Sequence, residues 1–266
     1  MKKTLITALA LGITYSSSLV FAGATDDIRI PEAPTITMVS HVEERTEDGS
    51  ERNLHWSKNV STTTVLARIK SNGDKLIAER LKVLDANKQM FDGNKTLTTD
   101  QKSTLTTIIT TNVTGLTTLR TSIAAGVDAS STKVLVSSIY TNFRIYGIVI
   151  PQIRLEKRIY DLQNHSLTLT ALFQTVQVKI DEAKNKGKDV TVWQKSLDDA
   201  KALVTRDTAT LATLMTNVSV LKPADYGTTS KAVIESTNIS LKAILKDFNS
   251  IKKNLHRSNS MSSRKL

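Results

Sequence analysis

The sequence predicts an all-α protein made of elongated antiparallel helical bundles, in which two helical hairpins share one long central helix kinked near Pro151. Three observations lead to this fold class. From residue 62 onward, apolar residues recur at spacings of three and four, the period of an amphipathic helix. Short connections separate five such segments, which favours antiparallel neighbours. The apolar stripe of the third segment changes sides halfway along its length.

The first helix is expected over residues 62–91, with Gly93 as its stop signal. The second begins after Thr98, which has capping-box spacing to Gln101, and ends at Gly126. Its many threonines are mediocre helix formers, so packing of the apolar stripe must supply most of its stability. The two stripes comprise Leu66, Ile69, Leu76, Ile77, Leu84 and Phe91, then Leu105, Ile108, Ile109, Leu116, Leu119 and Ile123.

The third segment runs from about residue 131 to Gly187 and would span about 80 Å as a continuous helix. Its apolar residues cluster on one side in the first half and on the opposite side in the second half, as expected of a helix that serves two hairpins. Pro151 cannot donate to the carbonyl of Gly147, which predicts a kink there. A full turn at residues 147–151, giving six helices, is the alternative. The two sets are Leu135, Ile139, Tyr146, Val149 and Ile153, then Leu155, Leu162, Leu169, Phe173 and Ile180.

The fourth helix is expected over residues 191–221 and the fifth over residues 230–255. The fifth carries the clearest stripe, in which Phe248 is a predicted core residue. The helical region divides into an N-terminal bundle half (residues 62–150) and a C-terminal bundle half (residues 151–256). Residues 257–266 form a basic, polar tail that is expected to be irregular.

The first 24 residues have the features of a secretory signal peptide, with Lys2 and Lys3 before a short apolar core and small residues Ala22 and Ala24 at the cleavage region. An uncleaved anchor is disfavoured because the apolar core is short for a span. Residues 25–61, rich in charge with Pro and Gly, are predicted to form a flexible acidic arm. The protein is therefore expected to be exported, to the periplasm, the cell surface or the extracellular space. Without cysteine it has no disulfides.

The apolar sequence IYGIVIPQI, between Arg144 and Arg154, is too short to cross a bilayer. We therefore expect no membrane span after signal cleavage. A segment lying on a membrane surface is an alternative, but a buried joint between the two bundle halves is the favoured interpretation.

The chain carries a net charge of +11, of which the signal peptide contributes +2 and the arm −4, so the remaining body carries +13. A basic exported body suggests either simple solubility or a polyanionic partner, such as nucleic acid or an anionic wall polymer. Arginine beside tyrosine suits phosphates and bases. The candidate polyanion-binding residues are Tyr140, Arg144, Arg154, Lys157 and Arg158 around the joint, and Lys252, Lys253 and Arg257 near the C-terminus. The competing interpretation is that the joint arginines solvate its rims and pair with Glu156 and Asp161.

No motif for catalysis, cofactor binding or metal binding is found. Of the four histidines, only His41, near Glu43 and Glu44, has metal-ligating neighbours, and solvated charge explains that group better. We therefore expect a protein that is not an enzyme and carries no cofactor.

Three sequence stretches occur in a characteristic order: LTTDQKSTLTTIITTNVTGLTTL, YTNFRIYGIVIPQI and KIDEAKNKGKDVT. Together they resemble an uncharacterised family of exported helical proteins common in candidate-phyla (Patescibacteria-type) bacteria. The resemblance covers most of residues 62–255. It implies an envelope or extracellular location and a helical fold, and it supplies no residue with a known function.

The sequence thus predicts a non-enzymatic structural or interaction protein with an unknown protein or envelope partner. One alternative is a polyanion binder. Another is a periplasmic helical chaperone that holds unfolded clients.

Overall fold

The structure is a computed structural model that describes the backbone of residues 61–263 and the side chains of residues 61–255. All secondary structure in this part of the chain is helical, so the predicted all-α fold class is confirmed. The predictions for residues 1–24 and for the arm through residue 60 lie outside the described residues. The α-helices are α1 (Thr62–Asp92), α2 (Thr99–Ala125), α3 (Ala129–Ser138), α4 (Ile150–Asn185), α5 (Thr191–Ser219) and α6 (Ser230–Ser263).

Helices α1 and α2 form the first hairpin, closed by a turn whose polar groups are satisfied locally. The Asn94 side chain accepts hydrogen bonds from the Thr96 and Leu97 N–H groups. The predicted capping box is present: the Thr98 hydroxyl accepts from the Gln101 N–H, and the Gln101 side chain accepts from the Thr98 N–H. These bonds satisfy donors that the first turn of α2 leaves unpaired.

Two separate hydrophobic clusters form the core, and the middle of the chain contributes to both. The N-terminal cluster contains Phe91 of α1, Leu116 of α2 and, from the middle segment, Ile139 and Ile153. The C-terminal cluster takes its residues from α4, α5 and α6. The middle of the chain thus contributes buried side chains to both clusters.

The predicted change of apolar face is also present, with one exception. Val149 and Ile153 face the N-terminal cluster, whereas Leu155 and Phe173 face the C-terminal cluster. Tyr146, assigned to the buried face by periodicity, is half-exposed instead. Its ring lies against an arginine of α1, which is described below.

The irregularity in the middle segment is centred on Arg144, not on Pro151. Arg144 has φ 46° and ψ 42°, in the left-handed region that non-glycine residues rarely adopt. It separates two π-helical segments, Ile139–Phe143 and Ile145–Val149. Pro151 lies in the first turn of α4. Backbone N–H groups in a first turn have no acceptor within the helix, so the N–H that proline lacks is not needed there. We refer to residues 139–151 as the joint.

This position of Pro151 leads to a testable expectation. Pro151→Ala should change the free energy of unfolding by less than about 1 kcal/mol, because proline in a first turn breaks no intrahelical hydrogen bond. Urea unfolding followed by circular dichroism measures this. A loss of about 3 kcal/mol or more would place the structural break at Pro151.

In the C-terminal half, α5 and α6 are connected by an arginine that bridges two carboxylates. Nη2 of Arg206, on α5, lies 2.7 Å from Oδ1 of Asp207 and 2.7 Å from Oδ2 of Asp247 on α6. Helix α6 continues to Ser263, so the backbone of residues 257–263 is helical. This corrects the expectation that the basic tail is irregular from residue 257.

By length and apolar composition, one described helical stretch, Ala129–Asn185, meets the requirement for a membrane span. This differs from the expectation that no such stretch follows residues 1–24, an expectation based on the short apolar sequence between Arg144 and Arg154. Apolar side chains of this stretch form part of both core clusters, which accounts for its composition.

Candidate functional site

The joint brings together two arginines and three tyrosines from four parts of the chain. Arg80 comes from α1, Tyr140 and Tyr146 from the π-helical segments, Arg144 from between them, and Tyr226 from the α5–α6 connection. We call these five residues the arginine–tyrosine cluster. Its geometry makes it the most distinctive polar feature in the described part of the chain.

Arg80 is a buried charge that lacks a carboxylate partner among the described residues. The residue is 5% exposed, and its Cζ lies 4.8 Å from the ring centroid of Tyr140 and 5.3 Å from that of Tyr146. Nη1 donates to the Leu76 carbonyl at 2.8 Å, but the buried Nε has no hydrogen-bond partner. Burying an unpaired charge is costly, and ring faces compensate only part of that cost.

Arg144, which is partly exposed, also packs against a tyrosine ring. Its Cζ lies 4.2 Å from the ring centroid of Tyr226, and its Nε is also buried without a hydrogen-bond partner. The left-handed backbone at Arg144 is an uncommon and strained conformation, of the kind that clusters at binding sites.

Gly147 allows Tyr226 to approach the joint. A Cβ atom at this position would lie 2.6 Å from a ring carbon of Tyr226, which is too close for any side chain. Because residue 147 has no side chain, the Tyr226 ring of the α5–α6 connection can pack against the middle segment.

This arrangement can bind anions. A guanidinium stacked on a ring keeps its N–H groups in the guanidinium plane, where they bind phosphate or carboxylate oxygens in pairs. The three tyrosines are half-exposed, at 44% for Tyr140, 50% for Tyr146 and 49% for Tyr226. Planar aromatic surface and arginine donors thus occur together at the edge of solvent.

The residues predicted around the joint are used in different ways. Tyr140 and Arg144 belong to the cluster, and Arg154 is exposed on α4. Lys157 pairs with Asp161 at 2.6 Å, whereas the competing interpretation assigned that carboxylate to an arginine. Arg158 donates to the Asn238 side chain of α6 at 2.6 Å, and burial lowers its pKa. Lys157 and Arg158 therefore make contacts within the fold and are not directed to a common site with Arg144.

The second predicted group, near the C-terminus, forms no comparable arrangement. Lys253 is exposed, and Lys252 is half-buried near His165. Burial, followed by the charge of Lys252, lowers the pKa of His165, whose ring packs edge-on against Phe248 at 5.6 Å. The side chain of Arg257 lies outside the described residues.

Sequence reasoning missed Arg80 and Tyr226. Arg80 left a signal: it continues the apolar stripe of α1, which runs Ile77, Arg80, Leu84, Asn87 and Phe91 at spacings of three and four. A charged residue at a core position of a regular stripe indicates a buried cation. Tyr226 left no such signal, because its approach depends on tertiary packing against Gly147.

An open groove between α1 and α3 adjoins the cluster at Tyr140. Its volume is about 540 Å³, within the range of small-molecule pockets. Tyr140 lines it together with apolar residues of both helices and the polar side chains of Asn72, Lys133 and Ser137. Among the described residues, no acidic side chain lines it.

A second buried polar group lies in α4, near the joint. Glu156 is 1% exposed and accepts a hydrogen bond from Gln152 at 3.0 Å. Burial raises the pKa of this carboxyl, and the hydrogen bond from Gln152 lowers it by a smaller amount. No described lysine or arginine forms an ion pair with it.

Within the described residues, no group of three or more histidine, aspartate or glutamate side chains could hold a metal ion. Comparison of the chain with protein-family models, curated proteins and solved structures gave no match. The resemblance to exported helical proteins therefore stays a prediction.

Proposed function

We propose that this is an exported, non-enzymatic interaction protein of the cell envelope or extracellular space, and that it binds an anionic polymer through the arginine–tyrosine cluster. The observation that carries the proposal is the buried, unpaired guanidinium of Arg80. A bound phosphate or carboxylate would supply the counter-charge that the described part of the fold does not provide.

The positions of the tyrosines support a ligand that enters from solvent. Tyr140 and Tyr146 cover Arg80, yet each ring is half-exposed. A ligand would reach the guanidinium only if one of these side chains rotated. Arg144 provides a second guanidinium without a carboxylate partner among the described residues.

The proposal also accounts for a choice of residue that stability alone does not favour. A fold that needed only a filled core at position 80 would be served by leucine or methionine, since replacing a buried charged group by an apolar one of similar volume is often neutral or stabilising. We therefore attribute the arginine at position 80 to binding of an anionic ligand.

Binding to long-chain polyphosphate, polyglutamate and a thymidine oligonucleotide, measured with residues 25–266 across a salt series, tests the proposal. We expect binding at low salt. The logarithm of the binding constant should fall linearly with the logarithm of the salt concentration. Arg80→Met should weaken binding by about tenfold or more, the equivalent of about 1.4 kcal/mol, while leaving the free energy of unfolding unchanged or higher. Arg144→Gly, which suits the left-handed backbone, should also weaken binding.

The matched control is Lys188→Ala. It removes one positive charge from the exposed α4–α5 connection, at the far end of α4, about 50 Å from the joint by the 1.5 Å rise of a helix. If this variant lowers affinity as much as Arg80→Met does, binding follows net charge and the cluster is not the site. Absence of binding at low salt to all three polymers would reject the proposal.

A further inference from the structure

We infer that the polymer is a single-stranded nucleic acid, and that one of its bases enters the groove between α1 and α3 to stack on Tyr140. This inference depends on the proposed function, because it assigns a ligand class to the same cluster. It requires three features to coincide: aromatic surface, donors for phosphates, and space for an unstacked base.

Aromatic surface is the first feature. Tyr140, Tyr146 and Tyr226 all lie half-exposed at the joint, next to guanidinium groups. Proteins that bind single strands combine basic residues along the backbone with aromatic rings on which bases stack. Polyphosphate and polyglutamate have no aromatic bases, so they would gain no base stacking on the three tyrosine rings.

The groove is the second feature. Tyr140 lines it at the side next to Arg80, and its volume of about 540 Å³ accommodates a nucleobase with its sugar. The amide of Asn72 and the hydroxyl of Ser137 are the donors and acceptors that contact the edge of a splayed base. These are the groups through which proteins distinguish bases in single strands.

The distribution of charge is the third feature. Among the described residues, Lys133 is the only charged one that lines the groove, and it is exposed on α3. Arg80 lies against the ring of Tyr140, which also lines the groove. One basic side chain therefore lines the proposed base site and a second lies next to its aromatic ring, as contacts to the phosphates of a strand require.

A duplex fits these features less well. Its bases are stacked inside and present only their edges, so Tyr140 could reach a base face only after the duplex opened, at a cost of a few kcal/mol. The observations therefore favour a single strand over a duplex.

The test compares four ligands of matched charge under one salt condition: a thymidine oligonucleotide, its duplex with adenosine, polyphosphate and polyglutamate. We expect the single strand to bind about tenfold or more tightly than polyphosphate. Tyr140→Ala should weaken binding of the single strand by roughly 5- to 150-fold, the range for loss of one stacked base, and should change polyphosphate binding by less than about threefold, since phosphates gain no stacking.

Tyr140→Phe is the conservative control, because phenylalanine keeps the ring and should retain most of the affinity. Tyr140→Leu, checked by circular dichroism, replaces Tyr140→Ala if the alanine variant does not fold. Lys133→Ala removes one expected phosphate contact. It should lower the magnitude of the slope of log binding constant against log salt concentration by about 1.

The outcomes separate the two proposals. If polyphosphate binds as tightly as the single strand and Tyr140→Ala affects both equally, the ligand class is wrong while the anionic site stands. A preference for the duplex or for polyglutamate likewise overturns the single-strand assignment. If none of the four ligands binds, the proposed function fails, and this inference fails with it.

Discussion

Phe248→Ala is expected to lower the free energy of unfolding by about 3 to 5 kcal/mol, the range measured for large-to-small changes at buried phenylalanines. Phe248 is 0% exposed and belongs to the C-terminal cluster, where the His165 ring packs against its edge. Removal of the ring leaves a cavity between α4 and α6 that their backbones cannot fully close. Urea unfolding at pH 7 measures the loss.

Leu245→Ala is the matched control for this change. Leu245 lies on the same helix, one turn earlier, but is exposed, so its truncation should cost well under about 1 kcal/mol. A near-neutral Phe248→Ala would show that α6 does not dock on α4 by the face seen here.

Glu156→Gln should stabilise the protein at neutral pH by about 1 to 3 kcal/mol, the order of the desolvation cost of a buried polar group, because glutamine removes the charge that burial disfavours. Glu156 is buried in α4, and Gln152 is its one hydrogen-bond donor among the described residues. Glutamine keeps the shape of the side chain and removes the charge.

The pH dependence of this stabilisation has a definite sign. Burial raises the pKa of Glu156 in the folded state, so the folded protein retains this proton to higher pH than the unfolded chain does. Wild-type stability is therefore lost as pH rises from the unfolded pKa through the raised folded one. The stability difference between Glu156→Gln and wild type should be near zero below pH of about 4, and should reach its full value once folded Glu156 is ionised.

Glu182→Gln is the control, because it removes a carboxylate from an exposed position on the same helix. If Glu156→Gln is neutral or destabilising at pH 7, a favourable interaction of the carboxylate outweighs the free-energy cost of burying its charge. The unfolding free energies of the three proteins between pH 4 and pH 8 decide between these outcomes.

The helical hairpins could be predicted from sequence because their signals are local. Thr98 and Gln101 have capping-box spacing, and the apolar stripes keep the helical period over many turns. The change of apolar face between Ile153 and Leu155 was predictable for the same reason. Burial of these residues in different clusters follows from the phase of the helix alone.

The centre of the joint could not be predicted in this way. Proline has two meanings in a helical sequence, as an interior break and as a first-turn residue. The first was assumed for Pro151, and the structure shows the second. The left-handed backbone at Arg144 has no sequence signal, because only glycine and asparagine commonly mark that conformation.

The candidate site was predicted in part. Tyr140 and Arg144 were identified because arginine and tyrosine lie close together in the sequence. Lys157 was included by the same reasoning, although Asp161 lies one turn away and is its partner. Tyr226 was missed because it is far from the joint in sequence and reaches it only through the space left by Gly147.

The change of face within one continuous segment has a consequence for insertions and deletions. Each residue added between Arg144 and Ile153 would advance every downstream residue by about 1.5 Å and turn it by about 100° about the helix axis. One added residue would thus rotate Leu155, Leu162 and Phe173 away from the C-terminal hairpin. Seven added residues would return them to within about 20° of their present direction. An insertion of seven residues in this segment is therefore expected to preserve the C-terminal core better than an insertion of one.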